Sequence, residues 1–441
     1  MDVTQGHRSR RGRTAWRGRG RVAVCVLAAV VLAAGGSAAA APASGSSGTA
    51  RAQAAGQDTG AGSTVAVSLG DSFISGEGGR WQGNIAMQYT SDTDMWGTDR
   101  ACNAAGSCGP KDPTRVYGTS YVDPVTSKEN GCHRSDVAEI QSADLPVDKR
   151  VNLACSGAVT KDVLPRSAGG QTYKGEKPQT DQLADLADQS QIKLVQLSIG
   201  GNDLGFGGVI KGCVKTYVLK VTSYCWKSWD ATVKERLRDH VLPRVKDTVK
   251  AIRGVLAEHG HPVGSYVFAL QSYPAPVPQA ASYRYPQGVA GIFSDRYQKG
   301  GCPFYDQDTD WARRTVVPAI AETLEKAADD TGIAYLDLQW AFDGHEVCNT
   351  ATQLPTSANT LANPVPGKNA EWMRFLSQGP VQTPYSQGQQ EESFHPNSYG
   401  QKALGKCLTE FHKAVTTSSR KFECLNTPGQ DEQSMHVQPI S

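Results

Sequence analysis

Apolar runs alternate with amphipathic stretches along most of the chain, and the alternation predicts its elements. Five short runs read as strands, at 65–70, 149–154, 192–199, 265–270 and 334–338. Runs of this length with few polar breaks fit strands buried on both faces. Between them the apolar spacing becomes helical, over about 231–259 with a bend expected at Pro243, and over about 310–330. A shorter helix is expected to start within 132–140. Asn397 is set to cap a last helix whose apolar face is Leu404, Leu408, Phe411 and Val415, a repeat of four, three and four. Strands alternating with helices predict a parallel, doubly wound α/β sheet. Two stretches have no period, roughly 78–130 and 349–390, and read as irregular insertions.

Composition adds compartment and excludes some partners. The chain has 441 residues, 39% hydrophobic and 20% charged, enough for one large core. Residues 1–21 hold seven Arg and one Asp, followed by an apolar run of 15 residues at 22–36 and small residues to Ala41. This is the build of a secretory signal peptide over 1–41, because the apolar run is shorter than the roughly 20 residues that span a bilayer. Export and the absence of a stable membrane anchor are therefore expected. Residues 42–62, rich in Ala, Gly and Ser, read as a flexible linker, 63–425 as the folded domain and 426–441 as a disordered tail. The net charge of +2 becomes −4 once 1–21 are removed, which gives no electrostatic claim on nucleic acid or an anionic membrane.

Ten cysteines remain after the leader: Cys102, Cys108, Cys132, Cys155, Cys213, Cys225, Cys302, Cys348, Cys407 and Cys424. An even number in an exported chain suggests five disulfides, and a Cys102–Cys108 bridge would staple the first insertion. No Cys-x-x-Cys pair occurs, so no metal site is expected. Asp306, Asp308 and Asp310 alternate like the start of a calcium loop, but the glycine and glutamate that complete one are missing. No cofactor is expected.

Candidate chemistry collects at strand ends, where open α/β sheets hold their ligands. The first strand runs into Gly70-Asp71-Ser72, the second into Cys155-Ser156-Gly157 and the third into Gly200-Gly201-Asn202-Asp203, while Glu392-Ser393-Phe394-His395 precedes the last helix. Acyl transfer needs a nucleophile, a base and donors for the oxyanion. Ser72 fits the first role and His395 the second. Glu392, three residues before the histidine, can orient the imidazole. The N–H groups of Ser72 and Gly157 and the side-chain amide of Asn202 can face the oxyanion. His345, in Asp343-Gly344-His345-Glu346 after a strand end, is the rival base. The Gly-x-Ser-x-Gly elbow of α/β-hydrolases does not occur.

These four blocks, in this order, resemble the SGNH hydrolases, also called the GDSL esterase/lipase family, and in particular its secreted actinobacterial members. The resemblance implies a flavodoxin-like three-layer sandwich with a five-stranded parallel sheet and disulfide-stapled insertions. It also implies a serine esterase or lipase with Ser72 as nucleophile, His395 as base, and Ser72, Gly157 and Asn202 as oxyanion donors. The pairs Cys132–Cys155, Cys213–Cys225 and Cys302–Cys348 resemble the three-disulfide framework of those members. One departure stands out, since the family has aspartate where this chain has Glu392. Glu392 is the expected orienting group, with a backbone carbonyl as the alternative. The implied substrate is an acyl ester, lipid or acylated glycan. A polysaccharide O-acetyl esterase, an acyltransferase and a non-catalytic envelope or carbohydrate-binding module are the alternatives. Trp81, Tyr89 and Trp96 are candidates for stacking on sugars or gripping acyl chains.

Overall fold

Strand β1 (Ser63–Gly70) is flanked by a strand on each side, and from Val65 onward every residue is buried. Such a strand must be covered on both faces, and its neighbours and the flanking helices do so. The computed structural model describes residues 62–84, 99–101, 114–118, 130–220, 222–356, 358–376 and 391–440. The expected leader, all but the last residue of the expected linker, Cys102, Cys108, Tyr89 and Trp96 lie outside the described residues.

The sheet has seven strands in the order β2-β1-β3-β4-β5-β6-β7, with β2 Lys149–Asn152, β3 Ser190–Ser198, β4 Val267–Gln271, β5 Ala334–Asp337, β6 Lys421–Leu425 and β7 His436–Pro439. The first six pair in parallel and β7 pairs antiparallel with β6. The expectation of five parallel strands is thus corrected to a mixed sheet of seven. Residues 426–441, expected as a disordered tail, carry β7 through Pro439, with Cys424 opposite Val437. The alternation of β6, with Phe422 and Cys424 buried and Lys421 and Glu423 less so, is the pattern of a strand covered mainly on one face.

Helices α1 (Gln179–Ala187), α2 (Leu242–Glu258) and α3 (Val317–Thr331) pack together on one face, and α4 (Ser398–Ala414) packs elsewhere, against β6, β7 and the short turn Glu139–Ser142. That turn is all that forms of the helix expected within 132–140. Pro243 does not break its helix. A π turn, Leu237–Val241, directly precedes it and joins Trp226–Arg236 to α2, and Ala312–Val316 does the same before Pro318. Widening the turn accommodates a ring that has no N–H to donate. Asn397 caps α4 as expected, its Oδ1 accepting from the Tyr399 and Gly400 amides at 3.0 and 3.2 Å.

Among the described residues four disulfides join Cys132 to Cys155, Cys213 to Cys225, Cys302 to Cys348 and Cys407 to Cys424. No helix among the described residues is long and apolar enough to cross a membrane.

Candidate active site

The turn that carries Ser72 is set by backbone crowding. Gly70 has φ 137, and a Cβ there would lie 1.9 Å from the Ser198 carbonyl, so no side chain fits where β1 leaves the sheet beside β3. Asp71 follows, its amide donating to Ser198 O at 3.0 Å and its Oδ1 accepting the Phe73 amide at 3.2 Å. Ser72 therefore begins the short helix Ser72–Ser75 at a fixed point. Burial pushes the Asp71 carboxyl up to about 7 against the hydrogen bond from Tyr273, whose hydroxyl donates to Oδ2 at 2.6 Å. The same hydroxyl accepts the Gly201 amide at 3.1 Å, which ties the Ser72 turn to the turn that carries Asn202.

His395 reaches Ser72 from the far end of the chain. Its Nε2 lies 2.7 Å from Ser72 Oγ, and its Nδ1 lies 3.2 Å from the carbonyl of Ser393. With the proton on Nδ1 donated to that carbonyl, the Nε2 lone pair is left to accept the serine hydroxyl. The loop is pinned by two backbone bonds to Arg374: Phe394 N–H to Arg374 O and Arg374 N–H to His395 O, both 2.8 Å. Phe394 sits at φ 60, a left-handed conformation that is uncommon for a bulky residue.

Glu392 does not orient the imidazole. Its Oε1 accepts Arg80 Nε at 2.7 Å and the Tyr117 hydroxyl at 2.6 Å, and its Oε2 accepts Trp81 Nε1 at 2.7 Å. The group that lies against Nδ1 is the alternative, the Ser393 backbone carbonyl. Burial pushes the Glu392 carboxyl up, but Arg80 outweighs it and holds the group below its usual range. Arg80 also pairs with Asp99 at 2.9 Å, and Arg374 lies over the Trp81 ring at 3.9 Å. Trp81 is fully buried in this cluster and offers no face to a ligand, contrary to its expected stacking role.

Ser72, Gly157, Asn202 and His395 line one cleft of about 400 Å³. Gly157 has φ 81 beside the Tyr173 hydroxyl, and a Cβ would come within 2.5 Å of that oxygen. One amide hydrogen of Asn202 goes to Ala158 O at 2.9 Å, which fixes the amide plane and leaves the second hydrogen to donate. Asp203 accepts the Thr160 amide and hydroxyl at 2.9 and 2.7 Å, so the Gly200–Asp203 and Gly157–Thr160 segments are braced against each other. The other wall is apolar: Phe206, Ile210, Pro276, Val317, Ile320 and Leu376.

His345 stands apart, stacked on Trp372 at 3.8 Å with Nδ1 against Ala370 O at 2.8 Å, and burial lowers its basicity. The three aspartates resembling a calcium loop are engaged within the fold: Asp306 pairs with Arg296, Asp308 accepts the Trp226 amide and Asp310 accepts the Ala280 amide. Among the described residues the one cluster with metal-ligand atoms is Cys213, Cys225 and Asp308, whose two sulfurs are joined as a disulfide.

Sequence reasoning missed Glu77, His133 and Ser156. Glu77 is buried at the cleft, with Oε1 2.9 Å from His133 Nδ1 and Oε2 accepting the Ser156 hydroxyl. A signal was available, since His133 and Ser156 directly follow the paired Cys132 and Cys155.

No protein-family model matches the chain, and no curated protein does either. Solved structures similar to it include an extracellular lipase from Streptomyces rimosus, 18% identical, with 80% of this chain and 100% of that one covered and a TM-score of 0.44. A phospholipase A1 from Streptomyces albidoflavus NA297 is 20% identical over 80% of this chain and 100% of its own, with a TM-score of 0.43. An aryl esterase from M. smegmatis is 10% identical over the same shares, with a TM-score of 0.28.

Proposed function

We propose that this chain is an exported carboxylic ester hydrolase of the SGNH type, working through a serine acyl-enzyme. The observation that carries the reading is the 2.7 Å contact between Ser72 Oγ and His395 Nε2 in a cleft shared with Gly157 and Asn202. In this reading His395 takes the proton from Ser72 as its oxygen attacks the ester carbonyl. The tetrahedral oxyanion is held by the N–H groups of Ser72 and Gly157 and by the free amide hydrogen of Asn202. Protonated at Nε2, His395 gives its proton to the leaving alcohol. Water, activated by the same histidine, then releases the acid. The Ser393 carbonyl holds the imidazole through Nδ1, so serine and histidine act as a dyad.

The apolar wall from Phe206 to Leu376 supports an acyl chain longer than acetyl as the group carried by Ser72. Export is supported by the Arg-rich, then apolar, then small-residue beginning of the chain and by the four disulfides among the described residues. Hydrolysis of p-nitrophenyl esters from acetyl to palmitoyl, by the wild type beside Ser72→Ala, tests the reading. Activity that vanishes with Ser72 and peaks at a medium or long chain is expected. A peak at acetyl instead points to a polysaccharide O-acetyl esterase, and acyl transfer to added alcohol in preference to water points to a transferase. If neither protein cleaves any ester, the hydrolase reading falls and the fold serves binding.

A further inference from the structure

A triad carboxylate does two jobs, orienting the histidine and stabilising the imidazolium that forms in the transition state. Here the Ser393 carbonyl can do the first and, being neutral, only weakly the second. Glu392 is committed to Arg80, Trp81 and Tyr117. The cleft contains another buried carboxylate, Glu77, on the turn that follows the nucleophile, with its amide donating to Ser72 O at 3.2 Å. The backbone just beyond it lies against the histidine, since a Cβ on Gly78 would sit 3.4 Å from His395 Cβ.

We propose that Glu77 is a positioning residue for the Ser72–His395 pair, supplying the negative charge that the missing triad carboxylate would have brought and fixing the Ser156–Gly157 turn that faces the oxyanion. The proposal rests on the ester hydrolase reading. Both partners of Glu77 are clamped by one disulfide: His133 and Ser156 each follow a cysteine of the Cys132–Cys155 bridge, and Ser156 N–H donates to Cys132 O at 3.1 Å. His133 is held further by stacking on Tyr117 at 4.8 Å. Burial pushes the Glu77 carboxyl up, but the charges of His133 and then His395 outweigh it and bring it down to about 2. Glu77 is thus ionised over the whole range in which an esterase is assayed.

Most of the other charged groups around His395 are tied to partners of their own, and Lys211, which also lines the cleft, is exposed and screened by water. Asp71 on the nucleophile turn is bonded to Tyr273, Glu392 on the histidine's own loop to Arg80, and Arg374 stacks on Trp81 and Phe375. Glu391 is the exposed acid at the cleft mouth, where water screens it. His133, whose carbonyl accepts the Ser75 hydroxyl at 3.3 Å, tempers Glu77 through its Nδ1, and Ser156 does so through its hydroxyl.

The test is the pH profile of kcat/KM on a soluble p-nitrophenyl ester for wild type, Glu77→Gln, Glu77→Asp and Ser156→Ala. Loss of a nearby negative charge makes a cationic imidazole harder to form. The acid limb for Glu77→Gln is therefore expected to move to lower pH by about half a unit to one unit. Its kcat should fall about tenfold with KM changed less than about twofold, a loss confined to the transition state. Glu77→Asp should recover most of the rate and most of the limb position. Ser156→Ala, which keeps the charge but loses the turn's anchor, should lower kcat with the acid limb unmoved. An unmoved limb in Glu77→Gln, with kcat reduced as in Ser156→Ala, would make Glu77 a purely structural residue and overturn the charge role. If Glu77→Gln does not fold by circular dichroism, Glu77→Asp decides, because the withdrawn carboxylate must still shift the limb downward by a smaller amount. Wild type that cleaves no ester under any condition is a failure of the underlying reading, and is seen before any Glu77 variant is made.

Discussion

Trp81 Nε1 donates to Glu392 Oε2 at 2.7 Å, deep in a cluster where no member exposes more than a few per cent of its surface. Arg80, Tyr117 and Trp81 together use both carboxylate oxygens, with Asp99 sharing the Arg80 guanidinium. The carboxylate three residues before the histidine holds the wall behind the loop that carries His395. Substituting Glu392→Gln removes one charge from a buried ion-pair cluster and should cost about 3–5 kcal/mol of stability. Activity per folded molecule, measured well below the lowered Tm, should stay within about threefold of wild type. An unchanged Tm with kcat lowered a hundredfold would return Glu392 to the catalytic apparatus.

Asn202 has its amide plane fixed by the bond to Ala158 O, so its second hydrogen is preorganised toward the cleft. Asn202→Ala should lower kcat by roughly 10² to 10³ with little change in KM, the effect of losing one oxyanion donor. A loss under about threefold would mean that backbone amides alone hold the oxyanion.

Two of the disulfides close loops of similar length, 23 residues for Cys132–Cys155 and 17 for Cys407–Cys424, but they lie in different places. Replacing either pair by alanine should cost a comparable 2–5 kcal/mol or so, because the loop-length dependence is logarithmic. The catalytic effects should differ. The Cys132–Cys155 bridge sets His133 and Ser156 beside Glu77, whereas Cys407–Cys424 joins α4 to β6. Only the first double variant should lose kcat by tenfold or so at a temperature where both are folded. Equal losses in both would show that the active site responds to global loosening and not to this clamp.

The parts of this arrangement that were legible in the sequence are those with a local physical signature. β1, β3, β4 and β5 announce themselves by apolar runs, β2 by the Leu153-Ala154 pair that follows its polar residues, and α4 by a capping asparagine followed by a 3.6-residue repeat. Ser72 and His395 could be picked out because a polar residue at a strand exit and a histidine before a helix are local features. β6 and β7 were missed because one is a five-residue alternation and the other, His436–Pro439, is mostly exposed, with no apolar face to read. Glu392 misled for a reason no spacing reveals. The left-handed turn at Phe394 and its pairing with Arg374 point the two side chains, Glu392 and His395, to different sides of the loop. Glu77 was passed over because its role depends on residues brought up from 133 and 156, a long-range contact that a local pattern does not encode.

Under the sheet a fully buried Glu139 accepts from Gln196 Nε2 at 2.5 Å and Gln271 Nε2 at 2.8 Å, with no cation in the group. Burial, working against those two hydrogen bonds, pushes its carboxyl up to about 7 from an ordinary 4.5. A carboxyl with a raised folded value gives up its proton more easily when the chain unfolds. Its contribution is fully present below about pH 4.5 and is lost as pH rises toward and past 7. The size of the loss is on the order of 3 kcal/mol between pH 4 and pH 8. Wild type should therefore melt at a lower temperature at pH 8 than at pH 5. Glu139→Gln, neutral at both, should show a flatter dependence. Some slope will remain, because burial also raises Asp71 and Glu346 to about 7. Glu77, held near 2, acts only below about pH 4.5 and leaves this window undisturbed. Thermal melts of the two proteins at pH 5 and pH 8 give the comparison directly. A variant whose Tm falls as steeply as wild type would mean that Glu139 ionises inside the fold at no cost.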